Sequence, residues 1–247
     1  MSLTAVPLQI VTPLTLEGSV IRLEPIRREH EELFWQAAKD ALDDIFRWIP
    51  DRMQTPEDFK HLVEKALGEQ ERGESVVFAT VERNSGRAIG STRFMNVDRT
   101  NRRAEIGSTW IAPDWQGTAV NTEAKYLMLR HAFEVWKCMR VELKTDALNQ
   151  RSRNAILRIG AKEEGTLRRH LITWTGRVRD TVYFSILDTE WPEVKARKWK
   201  RSLRGRPPHR IFESRPAMNW MPGIILPTRL LSFVKNKSVP AVAAQAR

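Results

Sequence analysis

One cysteine, Cys138, stands in the 247 residues, so no intrachain disulfide can form and no cysteine-rich metal site exists. That scarcity suits a reducing compartment. Long apolar runs are missing too. The most apolar late stretch, 221–234, is interrupted by Pro222, Pro227 and Arg229 and is too short to cross a bilayer. The first eleven residues lack the basic opening and continuous apolar segment of a secretory signal. The five histidines show no ligand spacing such as two residues four apart, so no metal is expected. These absences predict a soluble, cytoplasmic protein with no membrane span.

Acidic residues are nearly lacking from one part of the chain. From Lys195 to Arg247, 13 Lys and Arg stand against Glu213 alone, whereas residues 1–194 hold 28 basic and 29 acidic residues. The net charge of +11 therefore belongs to a tail, and the body is almost neutral. The body's apolar content supports a packed core rather than disorder. Three parts follow: an arm over 1–19, a folded domain over 20–194, and a basic, proline-containing extension over 195–247. The extension interleaves basic and aromatic residues around Lys198, Trp199, Lys200 and Arg201, a pattern open to weak contact with nucleic acid or an acidic surface. A flexible solvated extension is the simpler reading.

Periodicity within the domain predicts a strand at 20–25, a helix carrying Phe34, Ala38 and Leu42, and a second helix started by Thr55 and Pro56. Two strands, 75–81 and 88–95, flank an Asn84-Ser85-Gly86 turn, and a third covers 104–111. An amphipathic helix is expected over 122–136, with Ala124, Leu127, Met128, Ala132 and Val135 facing inward. A strand at 141–145, a helix at 150–159 between Asn149 and Gly160, and strands at 162–174 and 178–187 complete the order. The fold class is α/β (α+β): a mostly antiparallel twisted sheet with flanking helices and one strand–loop–helix crossover at its centre.

The informative stretch runs from Glu105 through Trp110 and Ile111, across Gln116, Gly117, Thr118, Ala119, Val120 and Asn121, into Thr122-Glu123-Ala124. A strand, a tight loop and a helix start present unpaired amides beside the positive end of a helix dipole, a site suited to phosphate. A second stretch, Asn149-Gln150-Arg151-Ser152, leads to Leu157-Arg158-Ile159-Gly160. In this order the two stretches resemble the GNAT superfamily of N-acetyltransferases, and within it the branch of ribosomal-protein acetyltransferases RimJ and RimL. The family's Gln/Arg-x-x-Gly-x-Gly/Ala loop falls on Gln116–Asn121, with Ala119 in place of Gly and Asn121 in place of Gly or Ala.

The resemblance implies acetyl-CoA as co-substrate and direct attack by a bound amine, either a protein N-terminus or a small molecule. It implies that Gln116–Asn121 cradle the pyrophosphate and that the main chain of Ser108–Ile111, with Trp110 and Ile111, borders the pantetheine. Asn149 and Ser152 would line the cofactor's other side, with Arg151 and Arg153 available to outer phosphates. Glu105 is the expected base, with a salt-bridged strand carboxylate as its alternative. A family tyrosine that protonates the leaving thiolate is replaced by Ile156, which leaves Ser152 or water for that task. His131 and Cys138 read as packed residues. Two rival readings stand beside the enzyme: a GNAT-like module that binds coenzyme A without turnover, and a nucleic-acid-associated protein acting through its tail.

Overall fold

The computed structural model describes residues 12–196. The basic extension, beyond its first two residues, and most of the entry arm lie outside them. The chain forms β1 (Leu16–Glu17), β2 (Ile21–Pro25), α1 (His30–Ala38), α2 (Leu42–Phe46), α3 (Pro56–Glu71), β3 (Val76–Glu82), β4 (Ala88–Asp98) and β5 (Arg103–Ile111). It continues through α4 (Ala119–Arg130), β6 (Arg140–Asp146), α5 (Gln150–Arg158), β7 (Lys162–Ile172), β8 (Val178–Leu187) and α6 (Trp191–Val194). Local chemistry sets several boundaries. Thr55 and Asp58 form a reciprocal capping box ahead of Pro56, and Asn149 accepts from the Ser152 amide to open α5. Gly160 ends α5 at φ 98°, a backbone state that glycine enters without a Cβ penalty.

One eight-stranded sheet carries the order β1-β2-β3-β4-β5-β6-β8-β7. Every neighbouring pair is antiparallel except β5 and β6. Alternation along the strands splits the apolar residues between two faces. On one face Ile21, Phe78, Phe94, Ile106, Val141 and Phe184 pack against Leu127, Met128 and Ala132 of α4 and its continuation, and against Ile156 of α5. On the other, Val77, Ala79 and Trp110 meet Phe34, Phe46, Phe59 and Val63 of α1–α3.

The sheet departs from the expected pattern in three ways. The last residues of the expected arm are part of it, because β1 pairs with β2. The central helix begins at Ala119, three residues earlier than its apolar period indicated, because the Thr118 side chain accepts from the Val120 amide. After α4 the chain takes a π turn at His131–Val135. The wider turn rotates the register, so Val135 faces solvent while Phe133 and Trp136 are buried.

A buried carboxylate fastens α4 to the sheet edge. Glu123 Oε1 accepts from the Ser19 amide and hydroxyl at 2.7 and 2.6 Å, and Oε2 accepts from the Val20 and Ile21 amides at 2.7 and 2.8 Å. Gly18 gives it room, since a Cβ there would stand 2.5 Å from the carboxylate. Replacing Glu123 by Ala strands three amides, and hydrogen bonds to charged groups contribute about 1.5–3 kcal/mol each. Glu123→Ala should therefore cost about 3 kcal/mol or more in chemical denaturation. A loss below about 1 kcal/mol would mean that water replaces the carboxylate.

Candidate active site

The sheet opens at its centre. Strands β5 and β6 pair only at Arg103↔Arg140, Ala104↔Val141 and Glu105↔Glu142, although β5 runs on to Ile111 and β6 to Asp146. Beyond Glu105 one edge of β5 has no strand partner among the described residues. On the opposite edge, Ser91 faces Trp110 and Arg93 faces Gly107, so Thr92 alone stands against Ser108 and Thr109. This is a β-bulge, with Ser108 at φ 46°. Bulges bend and twist a strand, which here carries β5 away from β6.

Two helix N-termini lie at the open end. Strand β5 leads through Pro113–Trp115 to Gly117, whose φ of 76° turns the chain into α4. Nothing stands within 4 Å of where a Gly117 Cβ would be, so the loop borders open space. Thr118 satisfies the Val120 amide, leaving other first-turn amides of α4 facing outward with the positive end of the dipole. Strand β6 leads through Asn149 to the start of α5. Arg151 Nη1 donates to Gln116 Oε1 at 2.7 Å and Gln116 Nε2 donates to the Ile111 carbonyl at 2.8 Å, so Gln116 is a strut between the two mouths. Asn121 Oδ1 is buried without a partner. Arg153 pairs with Glu163 at 3.2 Å and donates to the Ala147 carbonyl at 3.4 Å.

The sheet face beyond α1–α3 is polar. Glu105 is buried, and its Oε2 takes Asn96 Nδ2 at 2.9 Å and Lys144 Nζ at 3.1 Å. Its Oε1 has no partner. Lys144 also lies over the Tyr183 ring at 5.8 Å, and His170 stands edge-on to that ring at 5.9 Å. Farther along β8, buried Arg179 donates to the Trp48 carbonyl at 3.1 Å and stands 3.8 Å from Asp146, which Arg177 pairs. Burial lowers the affinity of Arg179 for its proton. Among the described residues Arg179 Nε, Thr181 Oγ1 and His170 Nδ1 also lack hydrogen-bond partners. Four unsatisfied buried polar atoms on one face are a costly arrangement unless a polar ligand completes them.

Several expected residues take other places. The Trp110 indole packs among Phe34, Phe46 and Phe59, so only its main chain can border the cleft. Trp115 lies partly buried against the α4-side core. Ser152 opens α5 through its amide, and Ile156 is a core residue. His131 is packed against Trp136 at 5.0 Å, but its Nε2 lacks the hydrogen bond expected of it. Cys138 is buried and its thiol is pushed up to about 11 by burial, an inert core residue.

Sequence reasoning passed over Lys125, Lys144, Tyr183 and Arg179, because lysine, tyrosine and arginine in such elements ordinarily face solvent. Lys125 is buried in α4, and its Nζ donates to Thr109 Oγ1 at 2.6 Å and Thr92 Oγ1 at 3.2 Å. Desolvation alone pulls its pKa from 10.5 to about 7.

The fold finds counterparts among known proteins. Residues 21–162 match the family described as Acetyltransferase (GNAT) domain. The Bacillus subtilis protein named "Putative ribosomal N-acetyltransferase YdaF" is 38% identical over 110 residues, which cover 44% of this chain and 59% of that one. The chain thus spans less than two thirds of that relative. A solved GCN5-related N-acetyltransferase from Brucella melitensis superposes with a TM-score of 0.69 at 31% identity, covering 77% of this chain and 86% of its own. Mycobacterium smegmatis RimJ, solved in complex with CoA-disulfide, shares the fold at a TM-score of 0.66 and 24% identity, covering 78% and 93%. The mixed eight-stranded sheet with flanking helices is a GNAT-type α/β fold. The chain belongs to the GNAT acetyltransferase family.

The Lys125 amine gives the fold a pH signature. Below about 7 it carries its charge in both folded and unfolded chains, and the burial cost is full. Between about 7 and 10.5 the unfolded chain holds the proton and the folded one does not, so stability rises with pH across that window. Urea unfolding of wild type and Lys125→Met across the same window should show a rise in the former that is missing from the latter. Parallel curves would mean that the amine is solvated.

Proposed function

We propose that this protein transfers an acetyl group from acetyl-CoA to a primary amine, by direct attack while both substrates are bound. The observation that carries this reading is the parting of β5 from β6 after Glu105, with the N-termini of α4 and α5 at its mouth. A slot with one free strand edge suits an extended, amide-bearing arm, and helix amides suit its pyrophosphate end. Acetyl-CoA supplies the acetyl group as an activated thioester. The amides following Gly117 hold the pyrophosphate, with Ala119 and Asn121 at the helix opening and Arg151 within reach of the outer phosphates. The free main-chain edge of Ser108–Ile111 aligns the arm and donates to the carbonyl oxygen as it gains charge.

The acceptor amine docks on the polar face, where Glu105 Oε1 lacks a partner. An ammonium there completes the carboxylate, which then receives the proton that must leave before attack. Lys144 and Asn96 hold the other oxygen and fix the carboxylate's orientation. Since Ile156 stands where a tyrosine would return a proton to sulfur, Ser152 or a water serves. The ribosomal designation of YdaF and the RimJ likeness point to a protein N-terminus as acceptor, with small amines as the alternative.

Coenzyme-dependent thiol release against peptides with free N-termini and small amines tests the reaction. Glu105→Gln keeps the shape and removes the base, so turnover near neutral pH should fall by about 10²-fold while coenzyme A affinity holds. Full turnover in that variant would assign Glu105 to structure alone. Ala119→Asp sets a carboxylate in the first turn of α4, where it favours the helix dipole and so preserves the fold. It also excludes phosphate, so coenzyme A should bind at least about tenfold more weakly, about 1.4 kcal/mol. Calorimetric titration measures this, and unchanged affinity in the folded variant would move the cofactor elsewhere.

A further inference from the structure

Among the described residues the buried amine of Lys125 has no counter-ion. Its hydrogen-bond partners are Thr109 Oγ1 at 2.6 Å and Thr92 Oγ1 at 3.2 Å, and those two hydroxyls lie 2.8 Å from each other. Glu123, the carboxylate two residues before Lys125 on α4, is committed to the turn before β2. Burial without a charged partner is expensive for an ammonium. An unbranched apolar side chain such as methionine would fill the same space without that cost, and the two threonines would still pair with each other. The amine therefore serves something other than stability.

Its position says what. Thr92 is the single β4 residue opposed to both Ser108 and Thr109, and Thr109 directly follows the left-handed Ser108. The amine thus ties both sides of the bulge to α4, the helix whose first turn borders the cleft. We propose that Lys125 is a positioning residue for acyl transfer, holding the β5 bulge through Thr109 so that the strand's free edge stays aligned on the thioester carbonyl. This inference rests on the acetyl-transfer reading above. Lys125 touches no substrate; it acts through the strand. A donor displaced by a fraction of an ångström keeps most of its ground-state binding and loses much of its effect on the developing oxyanion. The expected signature is a lower kcat with little change in KM.

Isotope-edited infrared spectroscopy of carbonyl-labelled acetyl-CoA bound to the full-length protein reads the alignment without needing the acceptor. In wild type the thioester carbonyl band should shift to lower frequency than in free solution. In Lys125→Met, and in Thr109→Val, which keeps the shape and removes the hydroxyl, the band should return toward the free value. Coenzyme A affinity should hold within about threefold, and kcat should fall by about tenfold, below the loss from deleting a donor outright. The double variant should show no loss beyond the larger single one, because both remove the same link. A wild-type shift that persists in both folded variants overturns the role of Lys125 and leaves acetyl transfer standing. Loss of coenzyme A affinity in proportion to kcat reduces the lysine to general structure and also overturns it. Failure of wild type to bind acetyl-CoA, or binding with no carbonyl shift, sinks the acetyl-transfer reading and this inference together.

Discussion

Two neighbouring strands that begin in register and then separate impose the constraint on which the site depends. Parallel pairing of β5 and β6 lasts for three residues, and the remaining backbone groups on the facing edges need other partners. Each strand is held from its far side: β6 by β8 along its whole length, and β5 by β4 on either side of the Ser108 bulge. The gap can therefore stay open without unravelling the sheet. Helix α4 spans the β5 side of the opening and is itself fastened at one end by Glu123 and at mid-length by Lys125. The free edge, the helix amides and the polar face are all consequences of that separation.

Polar chemistry is distributed unevenly across the sheet. The α4 face is mainly apolar, broken by the Lys125–Thr92–Thr109 cluster and by the Glu123 carboxylate, while the face beyond α1–α3 gathers Glu105, Lys144, Tyr183, Thr181, Arg179 and Asp146. Period-two alternation brings these residues together from β5, β6 and β8. Their charges are arranged in overlapping pairs, Glu105 with Lys144 and Asp146 with Arg177 and Arg179, yet particular atoms are left unsatisfied. A fold that only needed stability would close those vacancies with apolar side chains, since a half-satisfied network costs more than an apolar core. In the function proposed above, Glu105 Oε1 is the atom that the acceptor amine completes.

Much of this organisation was legible in the chain because it rests on local rules. Thr55-Pro56, Asn149 and Gly160 announce helix ends through capping chemistry, and Asn84-Ser85-Gly86 announces a hairpin. Helical spacing placed Phe34 and Ala38 correctly in the core. The stretch from Glu105 to Ala124 indicated a strand–loop–helix crossover, and the family match over 21–162 agrees with the resemblance it carried. Errors arose where a non-local contact overrode a local signal. Val135 continued an apolar stripe until the π turn rotated it outward, and the Trp110 indole packs among three phenylalanines from α1, α2 and α3, which no neighbour in the chain announces.

By itself the sequence determined the order of elements, the two-faced apolar pattern and the amide-bearing helix start, since each follows from neighbours within a few residues. Tertiary structure alone decided that β5 leaves β6 after Glu105, because register between strands 37 residues apart depends on how both are held by others. It alone decided that Lys125 faces inward to two threonines on different strands and that Arg153 answers Glu163. Long side chains such as lysine and arginine carry too little positional preference of their own; the partner that assembles around them sets their role.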